Sequence, residues 1–107
     1  MEKIEKVIRA GNVAVLISPG FGSGWYSWNG IDSMLFHPKL VELVEANRRE
    51  EITEELIFEL TGEENVYTGG VGDLEVVWLP MGTEFLIDEY DGAESLTLIQ
   101  NLRTITA

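Results

Sequence analysis

Apolar positions along this chain recur with two different periods, and the change of period divides it into three stretches. Residues 4–9 and 13–17 read as short strands on either side of the Ala10-Gly11-Asn12 turn. In the second strand Val13, Val15 and Ile17 share one face, while Ala14 and Leu16 take the other. With both faces apolar, that strand belongs inside a sheet rather than at its surface. From Pro38 the period lengthens to that of a helix. Proline suits the first helical position and His37 then stands at the N-cap. Leu40, Val41, Leu43 and Val44 form the inward stripe, with Glu42, Glu45 and Arg49 toward water and Arg48-Arg49 closing the helix.

A second helix is signalled by Thr53 as N-cap, by Ile52 and Ile57 as a hydrophobic staple, and by Glu54 and Glu55 at the positive end of the dipole. Leu56, Ile57 and Leu60 face inward, and Gly62 terminates it. Beyond it the period returns to two. Strands are predicted over 74–79, 83–90 and 95–102, joined at Pro80-Met81-Gly82 and Asp91-Gly92, with a short strand over 66–68. The predicted fold class is α+β: an N-terminal β-hairpin, two central helices and a C-terminal antiparallel β-meander. At 107 residues, with no linker and no internal repeat, the chain reads as one domain over 1–107.

The segment between the first hairpin and the first helix does not fit either period. Residues 18–30 hold four glycines and four aromatics in thirteen positions, directly after a strand. Gly20, Gly22 and Gly24 form G-x-G-x-G, but a dinucleotide fingerprint places its third glycine one residue later and opens a helix there. Trp25-Tyr26-Ser27-Trp28 does not read as that helix, and the chain has no phosphate-loop Gly-Lys-Ser/Thr. What the segment offers is a tight glycine turn whose successive amides make an anion-binding concavity, with flat rings beside it. The candidate ligand-binding residues are Ser18, Gly20, Phe21, Gly22, Ser23, Gly24, Trp25, Tyr26, Trp28 and Asn29. The competing explanation is structural: a loop whose tryptophans cap the core.

Charge changes the picture of what binds. The formal net charge is −12, and from residue 50 to 102 there are fourteen acidic residues and no Lys or Arg. Such a surface repels nucleic acid, so direct nucleic-acid binding is not expected. It suits solubility or contact with a basic protein surface. The candidate faces are Glu50, Glu51, Glu54, Glu55 and Glu59, or the hairpin with Asp88, Glu89 and Asp91.

Catalytic chemistry has little to stand on. There is no cysteine, and His37, the single histidine, is explained by capping. One histidine without cysteine argues against zinc, and residues 88–92 lack the alternating acids of a calcium loop. No metal or cofactor is expected, and a binding module is favoured over an enzyme. There is no run of apolar residues long enough to span a membrane, and Met1 to Lys6 lacks the apolar core of a signal peptide. A cytoplasmic location is the expectation. Residues 4–9 or 96–102, as edge strands, offer a route to a homo-oligomer.

The run Val15-Leu16-Ile17-Ser18-Pro19-Gly20-Phe21-Gly22-Ser23-Gly24-Trp25, followed by Phe36-His37-Pro38-Lys39, resembles small proteins encoded by bacteriophages and prophages. The resemblance implies a host-cell cytoplasm and two roles. One is an anti-defence protein that sequesters a nucleotide-derived signal in the glycine-aromatic loop. The other is an acidic inhibitor or adaptor that blocks a host effector.

Overall fold

The computed structural model describes residues 5–20, 22 and 24–99. Ile4, Phe21, Ser23 and residues 100–102, all named above, lie outside the described residues. The fold is α+β. Strand β1 (Ile8–Arg9) pairs antiparallel with β2 (Asn12–Ile17), and β2 pairs with β3 (Glu75–Pro80), giving the order β1-β2-β3. Between β2 and β3 lie four helices: α1 (Tyr26–Asn29), α2 (Asp32–Phe36), α3 (Pro38–Glu45) and α4 (Glu54–Thr61). Short 3-10 turns occupy Arg49–Glu51 and Val71–Asp73. Strands β4 (Phe85–Tyr90) and β5 (Ala93–Leu98) form a separate hairpin.

Strand β2 is the middle of the molecule because both its faces are apolar. Ala14 and Leu16 pack with the helical residues Leu40, Val41, Leu43 and Ile57, whereas Val15 and Ile17 meet Leu35, Phe85, Ile87 and Leu96. The central strand therefore has a helical layer on one side and the β4–β5 hairpin with α2 on the other. Every residue from Val13 to Ile17 is at most 8% exposed.

The helix ends follow their local chemistry. His37 Nδ1 accepts the Lys39 amide at 3.1 Å, and Thr53 Oγ1 accepts that of Leu56 at 3.2 Å. Gly62 closes α4 in the left-handed conformation at φ 79°. Both two-residue strand turns, Ala10-Gly11 and Asp91-Gly92, have positive φ at each position, the geometry that matches the twist of a tight hairpin.

Four expectations are corrected. Helix α3 ends at Glu45, before Arg48-Arg49: Asn47 takes φ 57°, and the amides of Asn47 and Arg48 return to the carbonyls of Val44 and Leu43. That is a Schellman closure with asparagine in place of glycine. Residues 26–29 do form a helical turn, and α2 follows it, where no helix was predicted. Residues 66–68 form no strand. Their backbone is held instead by a side chain: Asn29 Nδ2 donates to Tyr67 O at 3.0 Å and Asn29 Oδ1 accepts Tyr67 N at 2.8 Å. Finally, the strand after Leu74 pairs with β2 rather than with β4. Its register, Val13 opposite Leu79 and Val15 opposite Val77, sets apolar residues against the buried central strand. Among the described residues, no helix is long and apolar enough to cross a membrane.

Candidate functional site

The glycine-aromatic segment is organised around one carboxylate from the far end of the chain. Glu94, on β5, is 2% exposed. Its Oε1 accepts the Ser18 amide at 2.9 Å. Its Oε2 accepts the amides of Trp25 at 3.0 Å and Ser27 at 2.7 Å, and the Ser27 hydroxyl at 2.7 Å. The Glu94 amide donates to Ser18 O at 2.8 Å, and the Gly22 amide to Asp91 O at 2.5 Å. Residues 18–27 do form an anion-binding concavity, and the anion in it is the protein's own. Charge-assisted bonds of this kind make burial of a carboxylate tolerable.

The remaining candidates are tied inward as well. The Ser18 hydroxyl donates to Gly70 O at 3.2 Å. A Cβ on Gly20 would run into the Asp73 carboxylate, and one on Gly24 would lie 2.6 Å from both Ser27 Oγ and Trp28 Cδ1. These glycines admit neighbouring side chains of the same chain. Gly22, at φ 90°, is required by its backbone turn. Trp25 is fully buried, and its indole Nε1 donates to Met34 O at 3.0 Å. Tyr26 is half-buried and its hydroxyl donates to Asp32 at 2.9 Å, which holds the phenol above its ordinary pKa. Asn29 bridges Trp25 O and the Tyr67 backbone. Trp28 is different: it is 44% exposed, with its ring 4.9 Å from that of Tyr67, tilted by 47°.

Glu94 was not among the residues that sequence reasoning singled out. A signal existed, since Glu94 alternates in phase with Leu96 and Leu98, whose side chains pack inward. A carboxylate on the apolar face of a strand calls for dedicated partners.

A second feature lies on α4. Glu54, Glu55, Phe58 and Glu59, with Glu63, Glu64 and Asn65 beyond the helix, line an open cleft of about 510 Å3. Five carboxylates surround one phenyl ring, and Phe58 is 49% exposed. Phe58 was likewise unremarked in the sequence, where its helical phase sets it outside the Ile57 stripe.

The described cations are occupied elsewhere. Arg9 makes a bidentate pair with Glu45 at 2.7 and 2.8 Å and lies 5.1 Å over the Trp78 ring. Lys6 sits 4.7 Å over Phe36, and Lys39 pairs with Glu42 at 3.7 Å. Arg48 binds Glu51, whose carboxyl is thereby held below its usual range. Arg49 donates to Leu74 O at 2.9 Å. Lys3 and Arg103 lie outside the described residues. Among the described residues no group of three or more His, Cys, Asp or Glu is arranged to hold a metal ion. Comparison with protein-family models, curated proteins and solved structures returns no match.

Proposed function

We propose that this chain is a non-enzymatic protein-binding module that docks on a cationic partner surface through its acidic α4 face, as an inhibitor or adaptor of an effector would. The observation that carries the reading is the cleft itself: five carboxylates around a half-exposed phenylalanine, with no cation among its lining residues. The described Lys and Arg side chains are engaged away from it, so the face is left to attract charge from outside. The amides of residues 18–27 support the same choice. An external phosphate would have to displace Glu94 from four hydrogen bonds to use them.

A second reading, capture of a nucleotide-derived ligand by the loop, rests on Trp28, whose ring retains solvent access for stacking. One experiment separates the two. Thermal unfolding is followed with an oligolysine peptide and, separately, with a nucleotide panel that includes cyclic oligonucleotides and ADP-ribose derivatives. The expected outcome is a stabilising shift with oligolysine, since a ligand at a hundred times its Kd adds about 2.7 kcal/mol. That shift should vanish in Glu55→Lys/Glu59→Lys and persist in Glu84→Lys. No shift with oligolysine overturns the docking reading, and a shift with a nucleotide moves the site to Trp28.

A further inference from the structure

The chemistry of the α4 cleft also selects the shape of what it takes. We infer that its occupant is a cationic amphipathic helix of a partner protein, seated with an apolar residue on Phe58 and Lys or Arg side chains on the carboxylate rim. This inference rests on the docking reading above and adds the secondary structure of the partner.

Charge complementarity fixes the sign. Glu54, Glu55, Glu59, Glu63 and Glu64 present acceptors only, so the occupant must bring donors, and long cationic side chains bring the most. The backbone requirement fixes the conformation. An extended segment arrives with both N–H and C=O groups unpaired, and its N–H groups would find carboxylates. Its carbonyls would find, among the lining side chains, only the amide of Asn65. A helix satisfies its own backbone and needs nothing from the cleft but side-chain contacts. Phe58 supplies the apolar contact that orients such a helix, because it stands half-exposed in the middle of the acidic lining. An aromatic ring enclosed by a polar rim is the arrangement from which binding anchors are drawn.

The test uses labelled peptides of about 18 residues, long enough to hold helical structure. One places Leu and Lys at helical spacing, so that one face is apolar. A second has the same composition in an order that gives no apolar face. Fluorescence anisotropy reads binding to the full chain at about 50 mM and about 500 mM salt, where screening differs severalfold. The amphipathic peptide is expected to bind at least tenfold more tightly than the reordered one. Phe58→Ala, a change at an exposed position, should remove on the order of tenfold of that affinity. Glu55→Lys/Glu59→Lys should weaken both peptides, and Glu84→Lys neither. If the two peptides bind equally and Phe58→Ala changes nothing, the helical partner is overturned while the docking reading survives on charge. If neither peptide binds the wild-type chain, both fall. Circular dichroism of the bound amphipathic peptide gives an independent readout: no gain of helix on binding also overturns the inference.

Discussion

Glu94 holds more of the molecule together than any other single polar side chain described here. It joins β5 to the turn after β2 and to the first residues of α1, and four donors converge on its two oxygens. Directly across the hairpin stands Glu89, a like charge that on its own would disfavour the pairing. Glu89 turns away to accept the Gly92 amide at 3.0 Å, which leaves Glu94 to the loop. In Glu94→Gln one acceptor oxygen becomes an NH2 group facing N–H and O–H donors. The expected cost is about 2–3 kcal/mol, the loss of a charge-assisted bond with a buried donor left unpaired. Urea denaturation measures it; a loss below about 0.5 kcal/mol, the scale of a neutral surface change, would show that the carboxylate does not organise the loop. That the loop binds an anion was readable from its glycines. That the anion is residue 94 was not, because the contact spans 76 positions and only the phase of Glu94 with Leu96 and Leu98 hints at it.

At the scale of elements, what was readable was what is local. Thr53, Gly62 and His37-Pro38 mark their helix ends because a cap is made within three or four residues. Asn47 closes α3 by taking the same left-handed geometry, but asparagine marks turns and caps alike, so Arg48-Arg49 drew the expected boundary too far. Helix α1 was missed for another reason. It has four residues, and the acceptor for its first amides comes from β5, so no nearby residue announces it. His37 gives the α2–α3 junction a pH dependence. Burial pushes its pKa below the ordinary 6.5, with Glu5 acting in the opposite sense. The folded state therefore takes up the proton less readily than the unfolded chain. The neutral cap contributes fully above about pH 6.5, and its contribution is lost as pH falls through that value toward the lower folded pKa. Protonation of Nδ1 also removes the acceptor for Lys39 N. His37→Asn, which keeps a capping oxygen, is expected to flatten stability between pH 7 and 5 by roughly the width of one titration. An unchanged slope in urea titrations would remove His37 as its source.

For the whole molecule, the layer plan was visible in β2, where apolar residues on both faces required a cover on each side. Which elements supply the covers was not visible, since β3 and the hairpin carry similar alternation and only register decides that β3 joins β2. Net charge then acts on the assembled fold. The ion pairs among the described residues have exposed side chains on at least one partner, and such pairs contribute about 0–1 kcal/mol each. Against them stands a formal charge of −12 on 107 residues. Self-repulsion of that size outweighs a few exposed pairs, so raising sodium chloride from about 20 mM to about 500 mM should raise Tm. A fall in Tm would show that the pairs dominate.

The Glu94 clasp also bears on the order in which the chain can acquire its structure during synthesis. The glycine-aromatic segment is among the first parts made, and its organising carboxylate is among the last of the described residues. Until residue 94 has been added, the amides of Ser18, Trp25 and Ser27 have no Glu94 to meet. The strand β2 likewise waits for β3, with Val13 paired to Leu79. Contacts this distant in sequence pay their loop-closure entropy before they return any energy. The helices of the middle stretch can therefore form early from their own caps. The loop and the central strand are completed only by the arrival of the C-terminal third, so the nascent protein exposes its tryptophans for most of its elongation.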